Sequence, residues 1–133
     1  RGEIDIMEWF GGVASFTSQP NQVQSGVHST TNHWGSPAGL LFAKKDVANM
    51  CTEFHKFQLH WTANEIVMGV DGVTTFSYKK PAGATADNWP FSQPAFLLLN
   101  VAVGGNLGGT FNVSNIPNMK MTVDYVKVWQ PPS

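Results

Sequence analysis

Three carboxylates stand close together at the start of the chain, in the run Gly2-Glu3-Ile4-Asp5-Ile6-Met7-Glu8. In a regular strand successive side chains alternate faces, so Glu3 and Asp5 share one face and Glu8 points away. One extra residue, a β-bulge around Ile6-Met7, shifts that parity and brings Glu8 beside Asp5. All three acids then line one open face, with Ile4, Ile6 or Met7 anchoring the strand in the core. Such a row suits glycoside hydrolysis: two carboxyls about 5–5.5 Å apart serve as nucleophile and general acid/base in a retaining mechanism. Three acids so near one another cannot all ionise freely, so at least one has a raised pKa and the set titrates together. A solvated edge strand blunted by charge is the plainer alternative. It sits poorly with a chain that holds nine acids in all and places three of them here, where they repel one another with only Arg1 close in sequence.

The elements that must hold this row are strands. The chain has 133 residues, enough for one domain and too few for two. Hydrophobic residues make up 42% and charged residues 13%, which excludes disorder and a charged helical rod. The formal net charge is −1 and no basic stripe exists, so no nucleic-acid partner is expected. The apolar runs are far shorter than a bilayer and no amphipathic basic helix occurs, so no membrane role is expected. Cys51 is alone, which excludes an internal disulfide and a cysteine-built metal cluster. Thirteen Gly, eight Pro and 12% aromatic residues favour β structure with many turns.

Along the chain, residues 1–10 read as strand at once, with no leader before them. This raises the expectation that something upstream has been removed or sits on another chain. Residues 15–22 read as a surface loop, residues 23–29 as a short strand, and residues 30–37 as a loop of turn formers. Residues 40–42 form a brief strand, and residues 44–51 have some helical propensity without an apolar face. A meander follows, with Phe57, Leu59 and Trp61 on one face. It continues into residues 65–70, a type I′ turn at Asp71-Gly72 and residues 73–78. Trp89-Pro90-Phe91-Ser92-Gln93-Pro94 is too proline-rich for regular strand. The apolar residues 95–103 read as a buried central strand, and residues 120–130 as the last strand. Roughly eight strands with hairpin connections and little helix give an all-β sandwich.

The opening run resembles the E-x-D-x-x-E signature of glycoside hydrolase family 16 in its bulged, laminarinase-like form. The resemblance continues, in the family's order, through His60-Trp61-Thr62, Val70-Asp71-Gly72, the Trp89 to Pro94 segment, Leu99-Asn100-Val101-Ala102-Val103-Gly104-Gly105 and Val123-Asp124-Tyr125-Val126-Lys127-Val128. It implies a concanavalin A-like jelly-roll β-sandwich of which residues 1–133 are a single fragment, the C-terminal half. It implies Glu3 as nucleophile, Glu8 as general acid/base and Asp5 as the assisting carboxylate. Its expected activity is retaining endo-cleavage of β-1,3-glucan. A relative acting on mixed-linkage glucan or marine galactan, or a non-catalytic carbohydrate-binding module, is the alternative; retention of both glutamates argues against the module.

Trp9 follows the acid/base and is a candidate sugar platform, although a tryptophan in a sandwich is commonly core. Trp34, in a Gly/Pro/Ser-rich loop, is a candidate cap on a subsite. His28 ends a strand, and the resemblance places a histidine near the cleavage point. Asn100 is the one polar side chain in residues 95–103, so a buried amide there must satisfy backbone or point into the cleft; the resemblance favours the cleft. Asp124 interrupts the last strand, and the resemblance makes it a ligand of structural Ca²⁺, with a Lys120 or Lys127 pair as the alternative. No cofactor is expected for catalysis. The expected partners are a polysaccharide substrate and a second chain or swapped copy supplying the missing half. The resemblance also implies a secreted protein.

Overall fold

The computed structural model describes residues 2–11, 20–108, 110, 112–114 and 119–130. The chain divides into two compact units, Arg1–Phe96 and Leu97–Ser133.

The first unit holds two three-stranded antiparallel sheets. One has the order β1 (Glu3–Glu8), β2 (Gln22–His28), β3 (Leu41–Asp46); the other has β4 (Phe57–Trp61), β5 (Glu65–Val70), β6 (Val73–Lys79). The all-β sandwich expected from the strand pattern is therefore present in this unit. Alternation explains which faces meet. Ile4, Val27 and Leu41 stand in register across the first sheet and turn inward, as do Ile66 and Met68 of β5 and Phe76 of β6. Trp89 and Phe91 complete that cluster, their rings meeting edge to face at 5.2 Å between centroids. A second cluster gathers Val23, Val47 and Val70, with Met7, Met50 and Phe57 packed against it. Full burial of one such side chain contributes about 1.5–3 kcal/mol, so these two clusters are what fixes the sheets face to face.

The hairpin at Asp71-Gly72 forms as its sequence requires, with φ of 51° and 82°. Beside it the β5–β6 register shifts between Met68 and Gly69, where a Cβ would lie 2.8 Å from the Val73 carbonyl oxygen. Glycine is needed there for close approach. The segment after β6 is irregular, as its prolines dictate, yet Trp89 and Phe91 are buried core residues; the lack of strand periodicity hid them.

Residues 44–51, which have helical propensity without an apolar face, form no helix: Lys44 to Asp46 extend β3 and turns follow. Two expectations need correction. Residues 95–103 and 120–130 are not strands. Phe96, Leu98, Val128 and Trp129 are largely exposed, and among the described residues no strand pairs with either segment. An apolar sequence becomes a buried strand only where a neighbouring strand takes its backbone hydrogen bonds and a facing layer takes its side chains. Among its described residues the second unit contains one short helix, α1 (Gly105–Gly108). No helix among the described residues is long and apolar enough to cross a membrane. Most of the expected loop at residues 15–22 lies outside the described residues.

Candidate active site

The first sheet places the three acids. β1 pairs with β2 as Glu3 with His28, Ile4 with Val27 and Asp5 with Gly26, and then skips to Glu8 with Gln24. Two residues of β1, Ile6 and Met7, thus stand opposite the single Ser25. Both turn toward the interior, Ile6 onto the Val27 and Ile66 cluster and Met7 onto Val23 and Val70. Two consecutive inward residues are the bulge read from the sequence, and they return Glu8 to the face of Glu3 and Asp5. A bulge leaves a backbone group without its ladder partner. Here the buried Ser25 hydroxyl donates to the Ile6 carbonyl at 2.9 Å and lies 3.2 Å from the Thr75 hydroxyl of β6. The bulge is thereby tied to both sheets.

Directly opposed residues of antiparallel strands project to one side, so the register defines three rows on the acid face. Glu3 is followed by His28; Asp5 by Gly26 and Phe42; Glu8 by Gln24 and Lys44. Gln24 Nε2 donates to Glu8 Oε2 at 3.1 Å across the strand gap. His28 Nε2 lies 3.0 Å from Asp5 Oδ2 without the alignment of a hydrogen bond, and that oxygen is buried with no donor.

Burial and like charge raise the proton affinity of this set. The Asp5 carboxyl is pushed up to about 8, first by burial, then by the charges of Glu3 and Glu8 and by the hydrogen bond it shares with Glu3. An ionised oxygen buried without a donor is costly, so a proton on Asp5 resolves the position of Oδ2 as well. Glu8 is also raised, chiefly by burial and in part by Glu3; the Gln24 hydrogen bond and the His28 charge pull it back. The arrangement therefore sets two carboxyls of raised proton affinity, Asp5 and Glu8, beside the more exposed Glu3. It can supply a proton donor and a hydrogen-bonded carboxylate on one open face.

The other candidates are placed as follows. Trp9 is half-exposed, its indole nitrogen donating to the Pro20 carbonyl at 2.7 Å, which pins the ring beside the acids' strand. Trp34 is 79% exposed and lines a hollow of about 480 Å³ with His33, Gly35, Gly39, Leu40 and Phe42. Asn100 and Asp124 belong to the second unit, where both are exposed and neither stands in a strand, which corrects the reading of Asn100 as a buried amide. Among the described residues no three His, Cys, Asp or Glu side chains gather as a metal set. Asp124 would supply one carboxylate to a Ca²⁺ ion, which takes six to eight oxygens in all. The sequence reading missed Gln24, Ser25, Gly26 and Phe42. Only the pairing of β2 with its neighbours reveals them, although the alternation of residues 22–28 already put Gln24 on the face of His28.

Comparison with known proteins agrees with this geometry. The profile of glycosyl hydrolases family 16 matches residues 1–127. The beta-glucanase of Rhodothermus marinus is 35% identical over 98% of this chain and 45% of its own length. The glucan endo-1,3-beta-glucosidase A1 of Niallia circulans is 32% identical over 97% of this chain and 19% of its own. The X-ray structure of the laminarinase from Rhodothermus marinus superposes with a TM-score of 0.59 at 28% identity, covering 70% of this chain and 36% of that one. The chain spans less than half the length of the curated relatives it matches.

Proposed function

The chain belongs to glycosyl hydrolases family 16, and from that premise we propose that it carries the catalytic row of a retaining endo-glucanase acting on β-1,3-linked glucan. The observation that carries the reading is the bulge at Ile6 and Met7, which sets Glu3, Asp5 and Glu8 on one face. Glu3 attacks the anomeric carbon while Glu8 gives its proton to the departing glycosidic oxygen. Glu8, now a carboxylate, takes a proton from water as the water displaces Glu3 and releases the sugar with its original configuration. Asp5 keeps its proton through both steps, donating to Glu3 and limiting repulsion along the row. The substrate class follows the names of the relatives, a beta-glucanase, an endo-1,3-beta-glucosidase and a laminarinase.

The whole activity belongs, on this reading, to the protein in which the remainder of the family domain closes the sandwich, on the same chain or on a swapped copy. Polysaccharides do not pass into cells intact, so the proposed place of action is extracellular.

The test is reducing-sugar release from laminarin, lichenan and agarose, with and without the remainder of the domain supplied. Glu3→Gln and Glu8→Gln should each lower turnover of laminarin about 10²–10⁴-fold while leaving binding intact. Turnover untouched by both substitutions would remove the acids from the mechanism, and preference for agarose would replace the substrate.

A further inference from the structure

A second feature shares the acid face. Asp5, Gly26 and Phe42 stand opposite one another on β1, β2 and β3, so the Phe42 ring rises on the side of the acids. Gly26 separates them without a side chain. A Cβ built there would lie 2.8 Å from the Leu41 carbonyl oxygen and 3.0 Å from Phe42 Cβ. Glycine thus lets Phe42 lean in toward the acid row, and no other side chain stands between them in that row. Two strand spacings, about 9–10 Å, separate Asp5 and Phe42 across the sheet, comparable to two linked pyranose rings.

Phe42 is 42% exposed although its neighbours Leu41 and Ala43 pack into the core. It forms one wall of the hollow that Trp34, Leu40 and the His33 imidazole also line. Lys44 Nζ lies 5.8 Å from the Phe42 centroid. At that range an exposed cation is held only weakly over a ring, and a better partner displaces it. A hollow of this size, lined by two aromatic faces and no carboxylate, fits a neutral ligand with flat C–H faces. A pyranose continuing from the cleavage point is such a ligand.

We propose that Phe42 is the stacking platform for the glucan sugar lying on the β3 side of the acids, one or two units from the bond that is cut, with Trp34 closing the same subsite. The inference rests on the acid row being a glycosidase site. Its test reads binding rather than turnover. In a Glu8→Gln background, the affinities of β-1,3-glucan oligosaccharides of two to six units are measured by calorimetry for the chain with and without Phe42→Ala, Phe42→Leu and Phe42→Trp. Loss of the ring should weaken the longest oligosaccharides about 2- to 12-fold and leave the disaccharide unchanged, while Phe42→Trp retains affinity. Phe42→Leu keeps apolar bulk without a planar face, so it should weaken binding as Phe42→Ala does even where the alanine variant is poorly folded. Equal weakening at every length would mark a structural residue and overturn the proposal. Unchanged affinity at every length would overturn it while leaving the acids their role. A parent chain that binds no glucan of any length even with the remainder of the domain supplied would overturn the glycosidase reading itself.

Discussion

The strand Glu3–Glu8 and residues 97–103 are segments of similar length, and they end in opposite states. The first alternates Ile with acid and lies in a ladder with β2, its aliphatic side chains in two core clusters. The second is the more apolar of the two, yet its leucines and valines are exposed and none of its residues is in a strand. Local propensity is thus the weaker determinant. β1 is a strand because β2 satisfies its backbone and β5 and β6 cover its inner face; among the described residues no strand pairs with residues 97–103. The chemistry follows the same rule. Glu8 joins Glu3 and Asp5 because Ser25 and Gln24 lie opposite the bulge and meet its groups.

Amide hydrogen exchange should break the comparison open most widely. The amides of β2 and β5 should exchange at least about 10³-fold more slowly than those of residues 97–103, since core strands open only with the global free energy and unpaired segments open at almost no cost. Comparable protection in both would mean that residues 97–103 find a partner in solution. Next in size is Ser25→Ala, which removes the donor to the half-buried Ile6 carbonyl. It should cost about 1–3 kcal/mol in urea unfolding. If glucan turnover is present, it should fall about 10²-fold as Glu8 loses its placement. Loss of stability with full turnover would show that the bulge holds its shape without the hydroxyl.

Gln24→Met is smaller and more selective. It keeps the length of the side chain and removes the donor to Glu8 Oε2. Gln24 lowers the Glu8 pKa against the effect of burial, so its loss raises that pKa further. The basic limb of the pH–rate profile should move to higher pH, with turnover down about 2- to 12-fold. A carbon-13 titration of the Glu8 carboxyl reads the same shift without substrate. An unmoved titration would show that the hydrogen bond has no hold on the proton.

The legible part of the site was that which parity alone decides. Three acids at those spacings share a face only through one surplus residue, and Ile6-Met7 was where it had to lie. Gln24, Ser25 and Phe42 are no less tied to the acids, but their proximity is set by the pairing of β1, β2 and β3, which is non-local. Trp89 and Phe91 escaped because their core position comes from an irregular segment folding over a sheet. Asn100 was misread because burial was inferred from apolar neighbours that themselves turn out to be exposed.

pH separates the acid row from the clamp at the other sheet's hairpin, because their contributions are lost over different ranges. Asp5 rises from 3.8 to about 8 in the fold. Between those values the folded chain binds the proton that the unfolded chain has lost, so the stability Asp5 contributes falls as pH climbs from about 4 to 8. Asp5→Asn should flatten that slope. At the hairpin, His55 Nδ1 lies 2.7 Å from Asp71 Oδ2, and the Lys56 amide donates to Asp71 Oδ1 at 2.8 Å. The bond to Asp71 raises the His55 pKa, and the bond from His55 lowers that of Asp71. The contribution of this clamp is present between the two. It is lost as pH falls through the depressed Asp71 value and as it rises through the raised His55 value. Asp71 is half-exposed, so the clamp is worth at most about 1 kcal/mol and fades with salt. Urea midpoints across pH 4 to 8 should therefore slope downward in the parent chain, keep that slope in His55→Gln, and lose most of it in Asp5→Asn. A slope that vanished in His55→Gln instead would assign the proton linkage to the hairpin and leave the acids ordinary.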